Sequence, residues 1–245
     1  MDETTQQPLE SLAPQVTRLI DLRDNLGATP TEMGDDPYIV AEANLGNNKG
    51  LFTKDGLNLP PSAWEAVVAH IEGKRPGFQI SNGGFEAQGV YLLDTPEAPQ
   101  IVVKTLPAII AANPEQGTTK SYAIIPENRL RETFDVDQKL QSASSDHVQL
   151  GVTTQYGCVI EPDGRRHWVE AYMNGRPLTA ILNGMSASGD QELYRELNKA
   201  GEVAARALGI ESGELLFVKD EVRVSWDDSQ PPKFRVVVTD VADFH

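Results

Sequence analysis

The sequence specifies an α+β fold: an antiparallel sheet with a few helices attached. Three observations lead there. The stretch Phe78–Leu106, FQISNGGFEAQGVYLLDTPEAPQIVVKTL, reads as strand, glycine turn, strand, Pro/Asp/Glu turn and strand, and connections that short pair strands antiparallel. A second pair follows in Cys158–Ile160 and His167–Glu170, joined through the turn Pro162-Asp163-Gly164. Two later stretches, PENRLRETFDVDQKLQ from Pro126 and the run Asp190–Leu208, place apolar residues three and four apart, the spacing of a helix with one buried side.

In chain order, Met1–Pro8 is polar, and Leu12, Val16, Leu19, Ile20 and Leu26 fall at helical spacing with Gly27 as the stop. Ala28–Pro37 carries Pro, Gly and paired acids and reads as a linker. Tyr38–Thr53 holds two short strands around Gly46-Asn47-Asn48, and Pro61-Ser62 opens a helix with Trp64, Val67, Val68 and Ile71 on one face. Residues 1–75 are thus an N-terminal extension, 76–172 a sheet domain and 173–245 a smaller helical and β part. In the helix after Pro126, Leu130, Phe134 and Leu140 are expected on one side; in the run to Leu208, Leu193, Leu197, Ala200, Val203 and Ala204. The last strands are Val222–Val224 and Phe234–Val238.

Composition excludes several classes. At 245 residues with 40% hydrophobic and 23% charged residues the chain has enough apolar surface for a full core. A formal net charge of −15 repels phosphate backbones and anionic lipid, so neither nucleic acid nor membrane is an expected partner. No apolar run is long enough for a membrane span, and Met1-Asp2-Glu3 is the wrong start for a secretory signal. The lone Cys158 has no companion for a disulfide or a metal knuckle and reads as a small core residue in a reducing compartment. The expected location is the cytoplasm, or a host cytoplasm reached through a dedicated secretion system.

Lys104 closes the apolar run Ile101-Val102-Val103, and a buried ammonium needs an anion beside it. Gly83, Gly84 and Gly89 lie upstream, where glycine lets backbone N–H groups approach a ligand. An ordinary β-meander with a surface lysine accounts for the same residues.

After the His167–Glu170 strand the chain continues as WVEAYMNGRPLTAIL, with Glu170, Tyr172 and Gly175-Arg176-Pro177-Leu178 leading into a helix. This stretch resembles the hinge of the protein kinase-like superfamily, above all its aminoglycoside and choline phosphotransferase branch or a minimal effector-type kinase. Arg131-Glu132 with HVQLGVTTQYG is similar to that family's αC helix and the strand after it. The resemblance implies a sheet lobe with an αC-like helix and a reduced helical lobe, covering Phe78 to the end. It implies ATP with Mg²⁺ as ligands: Gly83, Gly84, Gly89 and Lys104 at the phosphates, Glu132 (with Glu127 less favoured) holding Lys104, and Glu170 and Tyr172 at the adenine. Asp240, with Asp243 as runner-up, matches the metal-binding aspartate that ends an apolar strand. A solvated helix-face Glu132 and a terminal acidic cap at Asp240 are the plainer alternatives.

The pattern then departs from the family. Where the family has a catalytic aspartate and asparagine, this chain has Gly209 and Glu214, so Glu211 and Glu214 are the only candidate bases. No stretch remains for an activation segment, which suits a minimal or truncated kinase-like fold. Three functions follow: a pseudokinase or effector-type domain acting through a protein partner; an active phosphotransferase with a rearranged catalytic loop; and an acidic α+β adaptor with no nucleotide site.

Overall fold

The computed structural model describes residues 29–32, 38–39, 41–81, 87–95, 100–112, 121–188, 191–209, 222–227 and 233–239. The expected helix at Leu9–Leu26, the turn at Gly83-Gly84, the loop of Glu211 and Glu214, and the aspartates Asp240 and Asp243 lie outside the described residues. The fold is α+β, and the chain forms two compact units, residues 1–127 with 154–172 and residues 128–153 with 173–245.

The first unit carries an eight-stranded sheet among the described residues. Its strands are β1 (Thr29–Glu32), β2 (Ala41–Leu45), β3 (Asn48–Phe52), β4 (Phe78–Ser81), β5 (Gly89–Leu93), β6 (Ile101–Leu106), β10 (Gln155–Ile160) and β11 (Arg166–Ala171), in the order β1-β2-β3-β10-β11-β6-β5-β4. Every neighbouring pair is antiparallel. A small separate pair, β7 (Ile109–Ile110) and β8 (Tyr122–Ala123), belongs to the same unit. The two tight turns fall where the sequence places them: Gly46, at φ 64°, links β2 to β3, and Gly164, at φ 86°, lies between β10 and β11. Both backbones are left-handed, which glycine adopts without a Cβ clash.

Residues 41–71 are part of this sheet and its core. Thr53 ends β3 and caps α1 (Lys54–Asn58), its hydroxyl accepting from the Gly56 N–H at 3.1 Å. Proline opens α2 (Pro61–Ile71), a position where its missing N–H costs nothing. Trp64 packs edge-on against Phe52 with centroids 4.8 Å apart and donates its indole N–H to the Gly56 carbonyl at 2.8 Å. Around them gather Leu57, Val67, Leu93, Ile101, Val103, Val159 and Val169. Cys158 is fully buried in β10, as a small core residue should be.

The second unit holds a four-stranded sheet among the described residues: β12 (Arg176–Pro177), β13 (Val222–Trp226), β14 (Phe234–Val238) and β9 (Val148–Val152), in that order. β14 and β9 run parallel; the other pairs are antiparallel. Nearly all of α3 (Pro126–Ser142), together with α4 (Leu178–Ser188) and α5 (Gln191–Ala207), belongs here, and Val136, Leu140, Leu150, Leu178, Leu197, Ala204, Val224 and Val236 share one core.

Two features correct the sequence reading. In α3 the buried residues are Pro126, Leu130, Thr133, Val136 and Leu140, while Phe134 is 38% exposed. From Leu130 the stripe advances by three, three and four, so the tightest-packed line runs through Thr133 and leaves Phe134 one position off it. The stretch HVQLGVTTQYG is not one strand either. It breaks at Thr153-Thr154, with β9 joining the second unit's sheet and β10 the first unit's. Backbone bonds mark the break on both sides: Thr153 N–H to the Val238 carbonyl and Ala171 N–H to the Thr154 carbonyl.

α1 rests on β10 at a place where only glycine fits. A Cβ on Gly56 would lie 1.7 Å from the Tyr156 carbonyl oxygen, which is backbone and cannot rotate away. Gly56→Ala is therefore expected to lower stability by about 3 kcal/mol, the upper end of what overpacking costs. Urea unfolding of the variant beside the parent chain measures it, and an unchanged midpoint would show that α1 is free to lift.

Candidate functional site

β6 is flanked on both sides, by β5 and by β11, and both faces are buried, so a residue anywhere along it sits deep in the first unit. Lys104 lies opposite Trp168 on β11, and Glu170 lies opposite Val102. Lys104 and Glu170 are thus diagonal neighbours on one face, a separation long side chains span. The Lys104 Nζ is 3.0 Å from the Glu170 Oε1, with the two side chains only 11% and 7% exposed. The other carboxylate oxygen, Oε2, accepts from Gln155 Nε2 at 2.9 Å, and Gln155 faces Glu170 directly in the β10–β11 register.

This arrangement answers the question the sequence raises about Lys104. Each charge is expensive to take out of water, and each becomes tolerable because the other is in hydrogen-bonding distance. The anion beside the ammonium comes from the neighbouring strand. Gln155 is the residue sequence reasoning missed; its only signal was a polar side chain at the start of a strand that pairs with Glu170.

Four other expected residues are described. Gly89 is the first residue of β5, buried opposite Thr105, where a Cβ would come within 2.7 Å of the Tyr91 ring. Tyr172 follows β11 directly; its N–H donates to the Gln100 carbonyl at 2.9 Å and its side chain is 37% exposed. Glu132 lies on an exposed position of α3, in the second unit. Glu127, at the start of α3, stands 4.0 Å from the Lys49 ammonium, which is closer to Glu42, at 2.9 Å. Among the described residues no cluster of three or more His, Cys, Asp and Glu forms a metal site, and no helix is long and apolar enough to cross a membrane.

A second polar group sits on the other face of β11. The buried His167 has its Nδ1 3.0 Å from the Thr105 hydroxyl and its Nε2 2.7 Å from Glu161 Oε1. Glu161 also accepts from Arg165, which bonds Asp163 in turn. Burial pushes the His167 pKa below the ordinary 6.5; the Glu161 carboxylate pulls the other way, and Arg165 and His70 add to the depression. Desolvation outweighs the Glu161 contact because an imidazolium here would lose most of its hydration.

No family model matches the sequence. No curated protein matches it. Solved structures do. The pseudokinase domain of BIR2, an immune regulator of the RLK/Pelle family, is 14% identical with a TM-score of 0.35 over 74% of this chain and 50% of its own. The kinase domain of maize SIRK1, a sucrose-induced receptor kinase, bound to AMP-PNP, is 14% identical with a TM-score of 0.34 over 69% and 52%. The PknI kinase domain of Mycobacterium tuberculosis is 13% identical with a TM-score of 0.31 over 67% and 57%. All three are protein kinase domains. The chain spans 50–57% of the length of each.

Two measurements test the polar groups. Removing one member of a buried ion pair strands the other, so Glu170→Met is expected to cost about 3–5 kcal/mol and Lys104→Met with Glu170→Met together clearly less. A double-mutant cycle in urea checks this; additive losses would mean the two groups are not coupled. For His167, the folded pKa lies below the unfolded value, so its contribution is fully present above about pH 6.5. As pH falls below that, the unfolded chain takes the proton first and stability drops. His167→Gln should flatten that part of the stability profile between pH 7 and pH 5, and an unaltered slope would locate the acid sensitivity elsewhere.

Proposed function

We propose that this chain is a divergent kinase-like domain of the pseudokinase kind, which works by binding a protein partner and does not transfer phosphoryl groups. The observation that carries the reading is the buried pair of Lys104 and Glu170. In kinase-like folds a strand lysine offers its ammonium to nucleotide phosphates as a point charge. Here the described carboxylate beside that ammonium comes from the adjacent strand, in place of the helix glutamate that the resemblance implies. The order of elements along the chain is the ground for the kinase-like part: β4, β5, the lysine strand β6, the short pair β7 and β8, the helix α3, the strands β9, β10 and β11, and a hinge-like stretch after them.

The sequence supports the inactive part, since neither the aspartate nor the asparagine of a kinase catalytic loop stands in its place. Without a group to orient the acceptor and with one metal site lost, positioning and charge neutralisation both fail. ATP with Mg²⁺ is the ligand class that the resemblance implies, and weak binding is expected where one of the metal ligands is replaced. The cytoplasm suits a chain whose lone cysteine, Cys158, is buried and reduced.

The test is incubation of the purified chain with labelled ATP, Mg²⁺ and Mn²⁺, and candidate protein and aminoglycoside acceptors. No transfer above background is expected, and 1 mM ATP should raise the unfolding midpoint by less than about 1 °C. Stoichiometric label that disappears in both Lys104→Arg and Asp240→Ala would make the chain an active phosphotransferase.

A further inference from the structure

We propose that Thr105 is a nucleophile, activated by His167 and Glu161, that takes a short acyl group from an activated carboxylic ester and passes it to water. The activity goes beyond the reading above and does not rest on it. Three observations carry it.

The three side chains form a line of hydrogen bonds from hydroxyl to imidazole to carboxylate. Thr105 Oγ1 is 3.0 Å from His167 Nδ1, and His167 Nε2 is 2.7 Å from Glu161 Oε1. A carboxylate accepts, so Nε2 carries the ring proton. Nδ1 then holds the lone pair, and the Thr105 hydroxyl donates to it. A hydroxyl is activated in this way when an adjacent base takes its proton and a third group orients that base.

The base is also kept neutral. His167 is buried, and burial, Arg165 and His70 lower its pKa from 6.5 against the pull of Glu161. At neutral pH the imidazole is therefore ready to accept a proton, and the carboxylate at Nε2 steadies the imidazolium that results. Glu161 is a positioning residue: Arg165 occupies its Oε2 at 3.2 Å and leaves Oε1 to the ring.

Finally, the hydroxyl is reached more easily than its base. Thr105 is half-buried, one residue from the end of β6, and across the sheet from it on the side away from His167 stands Gly89, the first residue of β5. Gly89 has no side chain, and the Tyr91 hydroxyl lies over it, 2.8 Å from where a Cβ would stand. A phenol O–H on the face of Thr105 is a donor suited to a carbonyl oxygen that gains charge. Side chains on both sides restrict the acyl group to a short one.

In the first step Thr105 Oγ1 bonds to the ester carbonyl carbon while its proton moves to His167 Nδ1. The bond from that carbon to the alcohol oxygen breaks, and the proton on Nδ1 goes to the departing oxygen. Water then repeats the sequence on the threonyl ester, releasing the carboxylic acid and restoring the hydroxyl.

The probe is p-nitrophenyl acetate, added to the full chain as wild type, Thr105→Val, Thr105→Ser, His167→Gln and Tyr91→Phe, each checked for folding by thermal unfolding. Mass spectrometry of peptides locates the acetyl group and follows its appearance, and acetylation of the exposed Lys74 shows that the probe is active. Wild type should be acetylated on Thr105, at a rate that climbs from about pH 5 and is half-maximal below pH 6.5, as His167 loses its proton. Thr105→Ser should keep the label, Thr105→Val should lack it, His167→Gln should slow it by about 10²-fold or more, and Tyr91→Phe should slow it too. Folded wild type with no acetyl on Thr105, a His167→Gln rate equal to wild type, or a rate indifferent to pH over this range overturns the proposal. Where a variant does not fold, the labelled position in wild type and its pH profile decide.

Discussion

A charge in the middle of a strand buried on both faces is the constraint around which the first unit is arranged. β6 could have been apolar from end to end, as Ile101, Val102, Val103 and Leu106 are, and Lys104 breaks that run. The break is stable only if an acid is delivered to the same face within reach, which fixes the register of β11 against β6. A slip of one residue would turn Glu170 to the opposite face and leave two charges buried apart. Gln155 ties β10 into the same register by occupying the second carboxylate oxygen. The sheet's order from β10 to β6 is in this sense set by polar chemistry as much as by apolar burial.

Around that centre the unit uses ordinary means. Trp64 and Phe52 seal one face beneath α1 and α2, and His167 is sequestered on the face opposite Lys104 with a hydroxyl and a carboxylate for company. The sheet's far edge is treated differently. β4 exposes all four of its residues, Phe78 at 72%, and its pairing with β5 carries an irregularity between Gln79 and Ser81. Bulged, short edges resist further strand addition.

Much of this was legible in the sequence because it is local. Turns at Gly46 and Gly164, the Pro61 helix start and the apolar stripe of α5 each follow from a handful of adjacent residues. What was not legible was pairing over distance. That Lys104 needed an anion could be read from its neighbours; that the anion is Glu170 could not, because the two lie 66 positions apart in the sequence and meet only through strand register. The αC-like reading of α3 put Glu132 beside Lys104 by analogy, while the described ion pair of Lys104 lies within the sheet. The same limit explains the stretch after α3, whose alternating apolar residues suit either sheet. Only the partners of β9 and β10 decide that they separate.

The parallel pairing of β9 with β14 also orders events in time. Every strand of the first unit's sheet has left the ribosome once Ala171 emerges, so that sheet can close while synthesis continues. β9, made early, has its partner among the described strands only when Phe234–Val238 appears more than 80 residues later. For that interval Val148, Leu150 and Val152 are an apolar edge in waiting, and a nascent chain stalled in that window would present it to chaperones.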